Sequence, residues 1–557
     1  MKKKISITCF PNNNFQMNVQ IIRFAFTLFF VAFSFIGCGQ TAVNENSTNK
    51  LQESWEQSLK GSFSEQVELT FDSLEIEEFF KIYPQIDKVK IDVGTFYRTR
   101  AYAYAWFENG LPIEQAGNLY NRIINLEEEG IYQTIPYRKE LDSLFYAVDK
   151  YQKKPNILLE LMLTAQYFAF SKLSWDGMDK AVSESLKWHL PRKKVNYEYY
   201  LDSLLKYKDL DAKEPVYRQY ALLKDYLKKY KALEQLNNWN TIQTSGTLIQ
   251  GDTSNIVTDV KKRFYLLGDY KGDTTAVFDE ELYQAVESFQ KRNGLSIDGK
   301  IGPETIRTLN IPLKSRIRQI IVNMERNRWL PISTYQDVLA VNIPDFKLHV
   351  FHADTLLWNC NVVVGQTSHP TTLFYGEVKY VVFRPYWNIP ESIVRNEILP
   401  HIRKKPNYIS THDMEITGYR NGLPIVRQKP GANNSLGLVK FLFPNSYNTY
   451  LHDTPAKSLF GETSRAFSHG CIRVEQPVKL ANFLLRNDAS WTAEKINSAM
   501  KSGNQKYVTL KDKVPVFIAY FTAFVGQDKK LNFRKDIYDL DERLADMILD
   551  DSGKAKD

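Results

Sequence analysis

One stretch of this chain combines residue types suited to nucleophilic chemistry. Ser468-His469-Gly470-Cys471-Ile472-Arg473-Val474 sets a thiol directly after glycine, and Tyr450-Leu451-His452-Asp453-Thr454 supplies a histidine nineteen positions upstream of it. A cysteine attacks as thiolate, and a free thiol titrates at about 8.5, so a cysteine enzyme needs a base or cation beside it. Glycine allows a tight turn that exposes N–H groups toward a developing oxyanion. On this reading Cys471 is the nucleophile, His452 the base, and Gly470 and Cys471 form the oxyanion hole. The spacing leaves a second reading open, a buried thiol with two hydrogen-bonded histidines. His452, His469 and Cys471 also make three potential metal ligands. The paired close spacings of zinc sites are missing, so neither metal nor cofactor is expected.

These residues must be held by a β-rich domain. From Val338 onward Leu339, Val341 and Ile343 alternate, as do Leu348 and Val350, with Val362 to Val364 following, and strand signals return at 508–524. A catalytic domain over 335–530 is expected, with Cys360 as inert core in an alternating strand. Residues 391–434 interrupt it with a helix-like start and then a polar stretch, too long for a simple loop, and are expected to cap the site. Residues 531–557 are expected to be a tail. His349, His352, His369 and His412 are assigned to core or surface.

Upstream the period is helical. Residues 157–173 (ILLELMLTAQYFAFSKL) are apolar almost all round but broken by Glu160, Gln166 and Lys172, which predicts a buried bundle helix rather than a span. Leu222, Leu223, Tyr226, Leu227 and Tyr230 predict one helical face, and Trp106, Trp175, Trp188 and Trp239 are read as core anchors. A helical domain over 65–245 is expected. Residues 255–313 read as a small helical unit, with Leu282, Ala285, Val286 and Phe289 on one face and Gly302-Pro303-Glu304 opening a helix.

Residues 24–37 (FAFTLFFVAFSFIG) are fourteen uncharged, mostly apolar residues after Arg23, short of the ~20 a membrane span needs. They end at Gly37-Cys38, which resembles a lipoprotein signal: a leader over 1–37, with either Met1 or Met17 as start, lipidation at Cys38, and a polar tether over 38–64. Net charge is +8, of which Lys2, Lys3, Lys4 and Arg23 lie in the leader. With no basic run interleaved with aromatics, nucleic acid is not an expected partner. The four cysteines (Cys9, Cys38, Cys360, Cys471) form no CxxC pair. A zinc ribbon or thioredoxin-type site is therefore unsupported.

The SHGC string with its upstream histidine resembles the signature of the L,D-transpeptidase (YkuD-like) family. The likeness extends to the large periplasmic subfamily typified by YcbB through 326–331 (RNRWLP), 380–393 (YVVFRPYWNIPESI) and 437–454 (GLVKFLFPNSYNTYLHDT), with weaker echoes at 96–110 (FYRTRAYAYAWFENG). The string LGDY…FDEELYQAVESFQKRNGLSIDGKIGPETIRTLN resembles a peptidoglycan-binding module. The resemblance implies a multidomain α+β protein: helical scaffold domain, three-helix peptidoglycan-binding-like domain, and mostly-β catalytic domain with an inserted capping subdomain. It makes Cys471 the acyl acceptor and His452 its base, oriented by the Asp453 carbonyl. Ser468 and His469 then shape the loop, and Arg473 and Tyr450 line the donor site; a salt bridge fixing the loop is the other reading for Arg473. The implied activity is 3→3 cross-linking of peptidoglycan stem peptides through a thioester, with release of D-Ala, in an enzyme anchored by lipid and facing the periplasm, with the outer membrane as the expected anchor. L,D-carboxypeptidase action and a non-catalytic wall-binding lipoprotein are the rival readings.

Overall fold

The computed structural model describes residues 69–147, 154–206, 214–236, 238–243, 246–331 and 336–549. The expected leader, the Cys38 lipidation site and the tether lie outside the described residues, as does the chain from 550 on. Among the described residues no helix is long and apolar enough to cross a membrane.

The helical region is organised around Ile157–Ser171, in which twelve of the fifteen residues are buried. Asn156 starts it by accepting from the N–H groups of Leu158 and Leu159. Its embedded Glu160 is satisfied by three donors: the carboxylate accepts from the Tyr97 hydroxyl at 2.7 Å and from the N–H groups of Ala105 and Trp106 at 2.6 and 3.0 Å, and the same Tyr97 hydroxyl meets Thr164 at 2.6 Å. That carboxyl stitches residues 97–106 to the bundle just ahead of the short hairpin β1 (Phe107–Glu108) and β2 (Leu111–Pro112). Gln219–Gln235 is a helix as expected, but it buries Tyr220, Leu223, Leu227, Tyr230 and Leu233 and leaves Leu222 exposed. Trp106, Trp175 and Trp188 are buried, and Trp239 packs half-buried against the core. From this region β3 (Trp188–His189) reaches out to join the catalytic sheet.

Helices Asn255–Leu267, Glu280–Arg292 and Pro303–Leu309 close around a separate core containing Leu282, Ala285, Val286 and Phe289. The following helix, Leu313–Trp329, ties the layers together. Its Arg328 is buried against Glu325 and the carbonyls of Glu129 and Ser174, and its Arg326 meets Asp541 at 2.5 Å.

The β-rich region contributes β4 (Asp337–Asn342), β5 (Lys347–His352), β6 (Thr355–Gly365), β7 (Leu373–Phe383), β8 (Trp387–Asn388), β9 (Met414–Arg420), β10 (Leu423–Gln428), β11 (Val439–Leu442), β12 (Leu451–His452), β13 (Ala466–Ser468), β14 (Ile472–Val474), β15 (Lys506–Ala519), β16 (Ala523–Val525) and β17 (Leu531–Phe533). The pairing runs β11-β12-β14-β6-β5-β4-β15-β7, and β7 pairs again with β11, so the sheet closes on itself around an apolar interior. Closure leaves β3 and β13 as the side branches.

The expected inserted subdomain is a folded unit, with strands where the sequence read as a polar stretch. Strands β8, β10 and β9 form a sheet over their own core of Ile389, Ile393, Val394, Ile398, Met414 and Val426. Helical residues run from Glu391 to Lys404, widening to a π turn at Val394–Ile398 just before Pro400, whose missing N–H interrupts the ladder. Asn421 and Gly422 both have positive φ, 51° and 76°, and form the two-residue turn between β9 and β10.

The segment expected as a tail is structural as far as it is described. Strand β17 pairs with β16, and helix Leu540–Leu549 buries Leu544, Ala545 and Ile548.

Candidate active site

The site grows from the register of three short strands. Lys440 on β11 pairs with His452 on β12, and His452 pairs in parallel with Arg473 on β14. Val439, Phe441, Leu451, Ile472 and Val474 are fully buried in the closed sheet. Side chains alternate along a strand, so Lys440, Tyr450, His452, Cys471 and Arg473 all belong to the opposite face. Lys440, His452 and Arg473 form one row across the strands, roughly 4.8 Å per step. Tyr450 and Cys471 form the neighbouring row, where the Ile472 N–H donates to the Tyr450 carbonyl at 3.1 Å. Nineteen residues of sequence thus collapse to adjacent positions.

His452 is only 4% exposed, and its Nδ1 lies 2.5 Å from the Asp453 carbonyl oxygen. A carbonyl only accepts, so Nδ1 carries the proton and Nε2 is left to receive one. Burial pushes the imidazole down to about 3, and the Arg473 and Lys440 cations push the same way against the pull of the backbone carbonyls. The Cys471 thiol donates toward the Asn448 carbonyl at 3.7 Å. Burial raises it above the ordinary thiol value, while Tyr450, Lys440 and Arg473 oppose that rise. The resting pair is therefore neutral thiol and neutral imidazole.

Asp453 does more than lend its carbonyl. Its carboxylate accepts from the Leu438 N–H at 2.8 Å and from Lys457 at 2.6 Å. It also fills the space over Gly437 (φ 61°), where an added Cβ would come within 2.4 Å of it. The carboxylate thereby fixes the turn that launches β11 and Lys440.

The nucleophile loop is braced from both sides. The Ser468 hydroxyl donates to the Cys471 carbonyl at 2.5 Å and accepts from the Gly470 N–H at 3.2 Å. This corrects one expectation: the Gly470 N–H is engaged, and the Cys471 N–H is the one with no acceptor among the described residues. Gly470 sits at φ 107°, a conformation that favours glycine. The Thr371 hydroxyl donates to the Gly470 carbonyl and accepts from the Gly365 N–H, both at 2.9 Å. Tyr538, from the expected tail, donates to the Gly365 carbonyl at 2.6 Å.

His469 points outward. Its Nε2 lies 3.1 Å from Glu397 of the insertion, and its ring is 5.2 Å from that of His369. His369 thus borders the site rather than lying apart from it, and Glu397 brings the insertion onto the SHGC loop. His349 and His352 face Asp345 and Asp337 at 3.5 and 2.8 Å, and His412 stacks on Tyr408. Arg473 makes no ion pair with any described residue, so the loop-fixing salt bridge is not formed. Cys360 is buried and free, its thiol pushed up to about 11 by burial. No cluster of three or more metal-ligating side chains occurs among the described residues.

Sequence reasoning missed Lys440, Thr371, Asn448 and Glu397. Lys440 had a signal, as the one charged residue in the apolar strand VKFL. Thr371 had none.

A thiol, an imidazole and two cations on one face of a closed sheet define a cysteine–histidine site. Residues 336–516 match the L,D-transpeptidase catalytic domain family (YkuD), 92–227 a scaffold domain, and 253–309 the family described as "Putative peptidoglycan binding domain". A Haemophilus influenzae protein named "Putative L,D-transpeptidase" is 31% identical over 290 residues, which span 48% of this chain and 57% of that protein's length. Among solved structures, L,D-transpeptidases from Xylanimonas cellulosilytica (16% identity, 50% of this chain, 99% of that one, TM-score 0.18) and Stackebrandtia nassauensis (13%, 50%, 97%, 0.23) are similar to it. So is L,D-transpeptidase 3 from Mycobacterium tuberculosis, solved with a faropenem-derived adduct (16%, 33%, 60%, 0.18). The chain carries an L,D-transpeptidase catalytic domain of the YkuD family, together with a scaffold domain and a peptidoglycan-binding domain.

Proposed function

We propose that the protein forms 3→3 cross-links in peptidoglycan by acyl transfer through Cys471. The observation that carries this reading is the placement of Cys471 and His452 on one face of adjacent strands, with His452 Nδ1 held by the Asp453 carbonyl. His452 Nε2 takes the thiol proton as Sγ attacks the carbonyl of the diamino acid at position 3 of a tetrapeptide stem. The Cys471 N–H faces the tetrahedral oxyanion. Collapse breaks the amide bond, the imidazolium returns its proton to the leaving amine of D-Ala, and a thioester remains. A side-chain amine of a second stem attacks the thioester, gives its proton to His452, and regenerates the thiol. No metal, cofactor or ATP enters this scheme.

The peptidoglycan-binding domain supports a wall polymer as substrate. We further propose that Cys38 is lipidated and holds the enzyme in the envelope, facing the periplasm from the outer membrane.

The test is incubation of the full chain with purified disaccharide-tetrapeptide and mass analysis of products, with a carbapenem as thiol-directed probe. Cross-linked dimer minus D-Ala, lost in Cys471→Ala, is the expected result. Tripeptide without dimer would instead make the enzyme an L,D-carboxypeptidase. Neither product, with no carbapenem adduct at Cys471, would leave only a wall-binding role.

A further inference from the structure

The match to the catalytic domain family ends at residue 516, yet the chain beyond it reaches the nucleophile loop through one turn. Residues 365–371 fold back so tightly that a Cβ on Gly365 would meet the His369 carbonyl oxygen at 2.2 Å and the Thr371 nitrogen at 2.7 Å. The Tyr538 hydroxyl closes this turn at both ends, donating to the Gly365 carbonyl at 2.6 Å and accepting from the Thr371 N–H at 3.2 Å. The Thr367 hydroxyl donates to the neighbouring Ile537 carbonyl at 3.3 Å. On its other side the turn holds the SHGC loop: the Gln366 N–H donates to the Ser468 carbonyl at 2.9 Å, and the Thr371 hydroxyl donates to the Gly470 carbonyl. Tyr538 is itself fixed. Its N–H donates to the Tyr520 hydroxyl at 2.9 Å, the two rings stack with centroids 5.6 Å apart, and Tyr520 donates to Asp536 at 2.5 Å. Asp536 accepts from the N–H groups of Leu540 and Asp541 at the start of helix Leu540–Leu549. Asp541 in turn pairs with the buried Arg326 of Leu313–Trp329.

We infer that Tyr538 is a positioning residue for Cys471, and that residues 536–541 belong to the catalytic unit although they lie beyond the matched domain; the inference rests on the reading of Cys471 as nucleophile. Tyr538 acts through the 365–371 turn and not on the thiol itself. The carbonyls of Ser468 and Gly470 both accept from that turn, so a turn that shifts carries the SHGC loop and Sγ with it. A phenol is suited to the task. It offers one donor and accepts as well, matched here to one carbonyl and one N–H. Phenylalanine at 538 keeps the ring stack on Tyr520 but leaves the Gly365 carbonyl and the Thr371 N–H unpaired in a buried turn. The hydrogen bonds run contiguously from Arg326 through Asp541, Asp536, Tyr520 and Tyr538 to Gly470. The helix that ties the domains together is thereby joined to the loop that carries the nucleophile.

The test is stopped-flow acylation of the full chain by a carbapenem, which separates the limiting acylation rate from the apparent dissociation constant. Tyr538→Phe is expected to lower the limiting rate by about tenfold, part of the roughly 10²-fold that a 1 Å misplacement costs, and to leave the dissociation constant within about twofold. Thr164→Val removes a buried hydroxyl from the helical region, where it meets Tyr97 and Trp106. It controls for lost stability and is expected to acylate at the wild-type rate. Adding Thr371→Val to Tyr538→Phe should slow acylation by less than the product of the two single effects, because both act on one turn. A Tyr538→Phe enzyme that slows no more than Thr164→Val overturns the positioning role, and so does a double variant that shows the full product. If Tyr538→Phe does not fold, Tyr520→Phe, which keeps the Tyr538 hydroxyl and removes the acceptor for its N–H, is read against Thr164→Val in the same way. No adduct on the wild type is a different failure, that of Cys471 as nucleophile, and the role of Tyr538 falls with it.

Discussion

Thr371→Val tests whether the nucleophile loop is held in place by the hydroxyl that bridges it to β6. Valine keeps the shape of threonine and removes one donor and one acceptor. Thr371 is 2% exposed, and its Oγ1 links the Gly365 N–H to the Gly470 carbonyl at 2.9 Å on each side. Loss of both bonds leaves two backbone groups unpaired. A buried orphan costs about 1–3 kcal/mol, and the Gly470 carbonyl, beside a half-exposed loop, recovers part of its share from water. A total of about 2–3 kcal/mol is expected, a fall in Tm of roughly 4–12 °C for a domain of about 180 residues. The loop carries Cys471, so acylation by a carbapenem should slow by about 10–10²-fold through misplacement of Sγ. Calorimetry and stopped-flow acylation give the two readouts, with Thr371→Ser, which keeps the hydroxyl, as the comparison. A Thr371→Val enzyme with wild-type Tm and wild-type acylation rate would refute the brace. A fall in Tm alone would show that Thr371 supports the fold without positioning the thiol.

Cys471→Ala should abolish cross-linking and carbapenem adduct formation with little change in Tm, because a methyl nearly replaces the thiol; product from the purified variant ends the assignment. His452→Ala should cost at least about 10²-fold in acylation, the usual scale for a general base; full activity would remove His452 from the mechanism. Cys38→Ser should move the protein from the membrane fraction to the soluble fraction, and unchanged retention would require another anchor. Replacing residues 395–430 with a short Gly/Ser link should raise the ratio of hydrolysed tripeptide to dimer, since the insertion touches the SHGC loop through Glu397 and His469; an unchanged ratio in a folded enzyme refutes a lid. The His452 imidazole titrates near 3 when folded against about 6.5 unfolded. The unfolded chain therefore binds more protons between those values, and stability is full above about 6.5 and is lost as pH falls toward 3. His452→Gln should flatten that acid limb in urea titrations, and identical limbs would refute the buried neutral histidine.

The cysteine and histidine were legible as a pair because they sit in two compact strings, and the β12–β14 register brings those strings side by side. Its electrostatics were not. Lys440 joins the site only through the β11–β12 register, and register is a long-range property that a strand of four residues does not reveal. Asn421-Gly422 between Gly418-Tyr419-Arg420 and Leu423-Pro424-Ile425 was a readable hairpin signal, yet the surrounding polarity read as loop. Strand polarity misled because β9 and β10 bury only one edge of a small core. Tyr538 and helix Leu540–Leu549 were placed in a tail because short amphipathic segments after the last long strand carry little periodic signal. Their partners, Gly365 and Arg326, lie more than 170 residues away. The engaged Gly470 N–H was likewise invisible, since only geometry tells which of two adjacent amides is free.

A resting pair of neutral thiol and neutral imidazole sets the energetic problem of this site. Burial raises the thiol and depresses the imidazole, so moving the proton from Cys471 to His452 is uphill before any substrate arrives. Two cations beside His452 make its protonated form worse still. The resting thiol therefore stays protonated and weakly nucleophilic. Iodoacetamide, which carries no charge, should therefore alkylate the wild-type thiol slowly at neutral pH. Alkylation as fast as that of a free cysteine at the same pH would refute the neutral resting pair.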